Sequence, residues 1–101
     1  MATLQIDLQD GFVGDDVVVR IDGGEVYRKT GVRTDLRLGL ADSFRAPVPS
    51  DPGPVEVEVA IPARKLVRTL EIRAHDHPHI GVSISDGCLE LRPSAVSFGY
   101  A

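Results

Sequence analysis

Hydrophobic and polar residues alternate with a period of two in stretch after stretch of this chain. That spacing turns one face of an extended strand toward a core and the other toward water. Leu4, Ile6 and Leu8 alternate with Thr3, Gln5 and Asp7, and Val17, Val19 and Ile21 alternate with Val18, Arg20 and Asp22. Asp22-Gly23-Gly24 is turn chemistry, after which Glu25-Val26-Tyr27-Arg28 returns as a hairpin partner. Beyond Thr30-Gly31, the set Leu36, Leu38 and Leu40 predicts a strand, and Phe44, Ala46 and Val48 predict a further short one. Val55, Val57, Val59 and Ile61 against Glu56, Glu58 and Ala60 make the clearest half-buried strand. Leu70, Ile72 and Ala74 follow the same rule, as do Ile80, Val82 and Ile84. Asp86-Gly87 then reverses the chain into Cys88-Leu89-Glu90-Leu91-Arg92, because Asp and Gly adopt at low cost the positive φ that a tight hairpin turn needs. Val96, Phe98 and Tyr100 extend the alternation to the end and predict a closing strand.

Two segments break the pattern. Pro47, Pro49, Pro52 and Pro54 remove backbone donors and fix φ, so the run from Pro47 to Pro54 predicts a stiff crossover loop that no ladder or helix traverses. Pro62-Ala63-Arg64-Lys65-Leu66-Val67-Arg68 has room for one helical turn with Pro62 near its start. Short strands of this kind, separated by turn signals, predict an all-β fold: a two-layer antiparallel β-sandwich of seven to nine strands, Ig-like or prealbumin-like, with residues 1–101 as a single domain.

Composition narrows the function classes. A chain of 101 residues buries roughly 60 to 68% of its unfolded surface, enough for a core without staples. There are 11 Lys plus Arg against 15 Asp plus Glu, a net charge of −4 spread along the chain. No cationic footprint for a phosphate backbone exists, so nucleic acid is not an expected partner. A single cysteine, Cys88, excludes an internal disulfide. No apolar run approaches the ~20 residues that span a bilayer, and the alternating start lacks the features of a secretory signal, so a soluble protein of the cytoplasm without a membrane partner is expected.

One cluster carries candidate chemistry. His75, His77 and His79 fall within His75-Asp76-His77-Pro78-His79, and on a strand these positions share a face, where their imidazoles would converge on Zn²⁺, Ni²⁺ or Cu²⁺. Against this, Pro78 interrupts a strand, and parity with Glu71 and Arg73 turns the histidines toward solvent. The acidic turns around Asp10, Asp15, Asp16, Asp22, Glu25 and Asp86 offer oxygens for calcium but match no defined calcium loop, and Asp beside Gly also serves turns. Cys88 has no base beside it in sequence and reads as a spectator thiol. Glu56 and Glu58 project from one strand face, where cross-strand pairing with residues such as Arg20, Arg37 and Arg73 explains them better than catalysis. No Gly-rich phosphate loop or nucleophile elbow is present.

Phe12-Val13-Gly14-Asp15-Asp16-Val17-Val18-Val19-Arg20-Ile21-Asp22-Gly23, with Ile80-Gly81-Val82-Ser83-Ile84 and Phe98-Gly99-Tyr100, resembles a group of short bacterial proteins of unknown function. The Val19-Arg20-Ile21-Asp22-Gly23 hairpin is also similar to those of PEGA-type and prealbumin-like sandwich modules, which implies the same fold and an accessory or carbohydrate-binding setting. The residues themselves favour a non-catalytic module that binds a protein partner, or a second copy of itself, through sheet edges and loops. A metal protein using His75, His77 and His79 is the second reading. A small enzyme or carbohydrate-binding accessory domain is the third, with carbohydrate binding disfavoured by the absence of Trp.

Overall fold

A computed structural model of the protein describes residues 2–48 and 53–99. Eight strands follow one another in these segments: β1 (Ala2–Leu8), β2 (Val13–Ile21), β3 (Gly24–Arg33), β4 (Asp42–Val48), β5 (Val55–Ile61), β6 (Leu66–Ile72), β7 (His79–Ser85) and β8 (Cys88–Ser94). They form two four-stranded sheets, ordered β4-β1-β7-β8 and β3-β2-β5-β6. The β-sandwich expected from the alternation is therefore what the chain adopts. Every strand pair is antiparallel except β1 with β7, which run parallel with Ile6 opposite Ile80.

Alternation builds the core. Leu4, Ile6 and Leu8 of β1 and Ile80 and Val82 of β7 are fully buried against Val17 and Val19 of β2 and Val57, Val59 and Ile61 of β5. Both tight hairpins form where the sequence places them. Asp22 and Gly23 have φ of 50° and 84° between the paired Ile21 and Gly24, and Asp86 and Gly87 have φ of 52° and 74° between Ser85 and Cys88. Two consecutive residues at positive φ match the right-handed twist of the flanking strands. Pro62–Arg64 makes one turn of 3-10 helix, closed by Lys65 in the left-handed region at φ 56°, before β6 begins.

Three local expectations give way. Leu36, Leu38 and Leu40 do not form a strand: the backbone N–H groups of Leu38 and Gly39 donate to the Asp35 carbonyl, that of Arg37 donates to the Asp35 carboxylate, and Leu36 is 93% exposed at the tip of the turn. A side chain that satisfies its own local backbone competes with ladder formation, and here it wins. After Ile72 the chain turns rather than extends, with the N–H groups of Asp76 and His77 both donating to the Arg73 carbonyl. Residues 95–99 form no strand; Val96 is exposed and Phe98 half-buried, while Tyr100 lies outside the described residues. Of the proline loop, residues 49–52 likewise lie outside them, and Pro47 belongs to β4.

The polar face of β1 is also less wet than alternation implies. Asp7, Gln9 and Ser83 are all buried on the outer side of the sheet. The Ser43 hydroxyl donates to Asp7 at 2.7 Å and the Gln5 amide at 3.2 Å, while Arg92 donates to the Gln9 side-chain carbonyl at 3.3 Å. Gln9 lies over Gly81, where a Cβ would come within 2.6 Å of the Gln9 side-chain oxygen. β1 and β7 are the two central strands, so β4 and β8 flank this row on both sides.

Candidate functional site

An open sandwich has four edge strands, here β4, β8, β3 and β6. Each presents a row of main-chain N–H and C=O groups that a neighbouring chain is able to pair with unless something blocks it. In a strand these groups point alternately to either side, so a few hydrogen bonds fix which residues face outward.

In the β4-β1-β7-β8 sheet, the Gln5 N–H donates to the Pro78 carbonyl at 2.8 Å, so odd residues of β1 address β7 and even residues address β4. Leu4, Ile6 and Leu8 therefore bond to Ala46, Phe44 and Asp42, which leaves Ser43, Arg45 and Pro47 outward. On the other side, Gln9 N–H donates to Val82 C=O at 2.7 Å and Ile84 N–H to Asp10 C=O at 2.8 Å, so odd residues of β7 address β8. By the register Gly81↔Arg92 and Ser83↔Glu90, the outward residues of β8 are Leu89, Leu91 and Pro93. Pro47 and Pro93 thus each remove an outward donor, the position at which an edge strand accepts proline.

The two edges of the second sheet differ. The β2–β3 ladder shifts register between Val13/Asp15, Asp15/Val17 and Val19/Arg20, and at the last two the extra residue lies in β3 and bends it. β3 is also clasped to β4: the Tyr27 and Phe44 rings stack at 4.1 Å, and the Tyr27 hydroxyl donates to Asp42 at 2.7 Å. Lys29 lies 3.3 Å from the same carboxylate. Among the described residues β6 shows no such irregularity or ring clasp, and its one protective feature is the charge of Arg68 in the inward row. It pairs with β5 without interruption from Val55↔Ile72 to Ile61↔Leu66, and its 7 residues include no proline. Asp22 N–H donates to the Glu56 carbonyl at 2.9 Å, so even residues of β5 address β2 and odd residues address β6. Leu66, Arg68, Leu70 and Ile72 are then bonded to β5, and Val67, Thr69 and Glu71 point their N–H and C=O groups outward. All three are exposed, Val67 by 60%.

β6 borders a shallow cleft of about 340 Å³ lined by Arg68, Thr69 and Leu70 from β6 and Glu90, Leu91 and Arg92 from β8. Its floor is apolar, with Leu70 and Leu91 half-buried. By register with the fully buried Val59, Arg68 shares the inward-facing row with Leu66 and Leu70, yet it lies exposed at the open side.

The residues singled out in the sequence are dispersed. His75 and His77 are exposed on the turn after β6, whereas His79 opens β7 with its Nδ1 buried and without a hydrogen-bond partner. Because the chain turns at Ala74–Asp76, the strand geometry that would align three imidazoles does not arise. Among the described residues no group of three or more His, Cys, Asp or Glu side chains is arranged to hold a metal ion.

Cys88 is a free, exposed thiol at the β7–β8 turn. The acidic residues of the turns are engaged by neighbouring segments: Asp15 takes a two-pronged contact from Arg64 at 2.7 and 3.0 Å, Asp22 accepts the Glu56 N–H, and Asp16 accepts the Gly31 N–H. Glu25 is held below the usual carboxylate range, first by its hydrogen bond from Arg28. Glu58 pairs across strands with Arg20 at 2.8 Å, as expected of that ladder, whereas Arg37 pairs with Asp35.

Sequence reasoning passed over β6 as an edge, although two signals existed. Pro47 and Pro93 lie inside strand patterns, which marks β4 and β8 as edges and leaves proline-free strands as the candidates for open ones. Comparison of the chain with known protein families, with curated proteins and with solved structures finds no match.

Proposed function

We propose that this protein is a non-catalytic binding module that takes up an extended polypeptide segment along β6. The observation that carries this reading is the outward row of Val67, Thr69 and Glu71, a regular main-chain edge with neither proline nor bulge. Strand addition draws affinity from such main-chain bonds and specificity from alternate side chains, which here meet the cleft toward β8 on one face and open solvent on the other. The rest of the sandwich supports that edge, with β3 and β4 joined across the two sheets by the stack of Tyr27 and Phe44.

A peptide library selected on the immobilised protein tests the reading, with the Thr69→Pro variant as the control. Thr69 N–H points away from β5, so proline there leaves the β5–β6 ladder intact while removing the central free donor. Selected peptides are expected to shift the β6 amide resonances and to bind Thr69→Pro at least about tenfold more weakly, the loss of a hydrogen bond plus the ring clash, while Thr69→Val binds normally. Selected peptides that bind Thr69→Pro and wild type equally would overturn it.

A further inference from the structure

The strand that β6 accepts has a definable chemistry, and Arg68 sets it. This inference rests on the strand-addition reading above. Arg68 occupies the inward row of an edge strand between two half-buried leucines, Leu66 and Leu70. A charge in that row is a device that protects edges, because an incoming strand covers it and strips its water. Among the described residues Arg68 takes part in no ion pair. The other charged groups of the cleft do not answer it: Glu90 and Arg92 are registered opposite Ser83 and Gly81, on the outward row of the facing sheet, and Arg92 is bonded to Gln9.

Because Arg68 bonds its main chain to β5, the residue opposite it on an added antiparallel strand belongs to a non-hydrogen-bonded pair, the type whose side chains approach most closely. The side chain at that one position therefore decides whether the guanidinium is compensated. We propose that the occupant of β6 is an extended peptide whose inward-facing row reads apolar, acidic, apolar, with the carboxylate opposite Arg68 and the apolar residues covering Leu66 and Leu70. Arginine suits this role, since its planar fork meets a carboxylate with two parallel hydrogen bonds. The same residue excludes strands that lack the carboxylate, and specificity of this kind comes from the penalty on wrong partners as much as from attraction to the right one. A second copy of the chain does not satisfy it. Two-fold pairing of β6 about Thr69 sets Arg68 against the partner's Leu70, and pairing about Arg68 sets two arginines face to face.

The test uses cyclised β-hairpins that present Thr-Val-Thr-Glu-Thr-Val-Thr on one strand, with Gln or Lys in place of Glu, titrated into the isotope-labelled protein. The Glu hairpin is expected to shift the amides of Val67, Thr69 and Glu71 and to bind about fivefold more tightly than the Gln hairpin, the scale of a partly exposed ion pair, with the Lys hairpin weakest. Arg68→Gln abolishes the preference for Glu over Gln, and Arg68→Glu reverses the order in favour of Lys. If Glu and Gln hairpins bind β6 equally and Arg68→Gln changes nothing, the carboxylate requirement is wrong while strand addition stands. If no hairpin moves the β6 amides, both fail. If the protein alone is a dimer with those amides already protected, the occupant is a second copy and the acidic peptide is overturned.

Discussion

The rings of Tyr27 and Phe44 lie nearly parallel, with centroids 4.1 Å apart and an interplanar angle of 11°, and they join β3 of one sheet to β4 of the other. This contact closes one side of the sandwich, while the opposite side, where β6 faces β8, has a cleft. Phe44→Ala removes the stack and half-buried ring area together, for an expected loss of about 2 kcal/mol in urea unfolding. It is expected to leave β6 amide shifts unchanged.

The same contact gives the stability a pH dependence of known sign. Burial, and then the hydrogen bond to Asp42, raise the Tyr27 hydroxyl well above its ordinary value. An unfolded tyrosine ionises near pH ~10, so this contribution is complete below that pH and declines as the pH rises past it. For Asp42 burial pulls upward, but the Tyr27 hydroxyl, the Ser43 N–H and Lys29 outweigh it and hold the carboxyl below its ordinary range. That contribution is present above the unfolded value of about 3.9 and is lost as the pH falls through the lower folded one. Unfolding midpoints measured across pH are expected to fall at both ends, and Tyr27→Phe to flatten both limbs.

Asp15 is 8% exposed and receives both prongs of the Arg64 guanidinium along with the Val13 N–H at 2.9 Å. It ties the entry of β2 to the helical turn after β5. Asp15→Ala removes the acceptor of the Val13 N–H and of an Arg64 side chain that is still 32% exposed to water, so it is expected to destabilise by about 1 kcal/mol, and a double-mutant cycle with Arg64→Ala to show coupling of about 0.5 kcal/mol. Additive losses would contradict the pairing.

Gly11 and Gly81 separate two kinds of close approach. At Gly11, φ is 91° and an added Cβ meets the Ile84 carbonyl oxygen, which is backbone of a central strand. At Gly81 the neighbour is the Gln9 side chain, which has rotamers to retreat into. Gly11→Ala is expected to cost more than about 3 kcal/mol and Gly81→Ala about 1 kcal/mol, read from chemical denaturation.

Period-two alternation gave the strands whose inner row is continuous, as in β1, β5 and β7, because the core rewards every second residue directly. It failed at Leu36, Leu38 and Leu40, where Asp35 captures nearby N–H groups and Gly39 adopts φ 73°, so local polar bonds outweigh the pattern. Leu36→Ser is accordingly expected to change stability by less than about 0.5 kcal/mol, as at other exposed sites. The shared strand face expected for His75, His77 and His79 does not arise for a related reason: the Arg73 carbonyl closes a turn that no alternation announces. Strand order lies further from the sequence still, since it depends on which strands meet across the fold. Only the prolines at 47 and 93 hinted at it, and they marked where pairing stops rather than where it is open.

Amide hydrogen exchange, residue by residue, tests most directly whether β6 is the receiving edge. In the dilute free protein Arg68 and Leu70 are expected to exchange slowly and Val67, Thr69 and Glu71 fast, and the three fast amides are expected to slow when the Glu-bearing hairpin is added. Protection appearing instead at Ser43, Arg45 or Arg28, or fast exchange at Val67, Thr69 and Glu71 with the hairpin bound, would contradict the account.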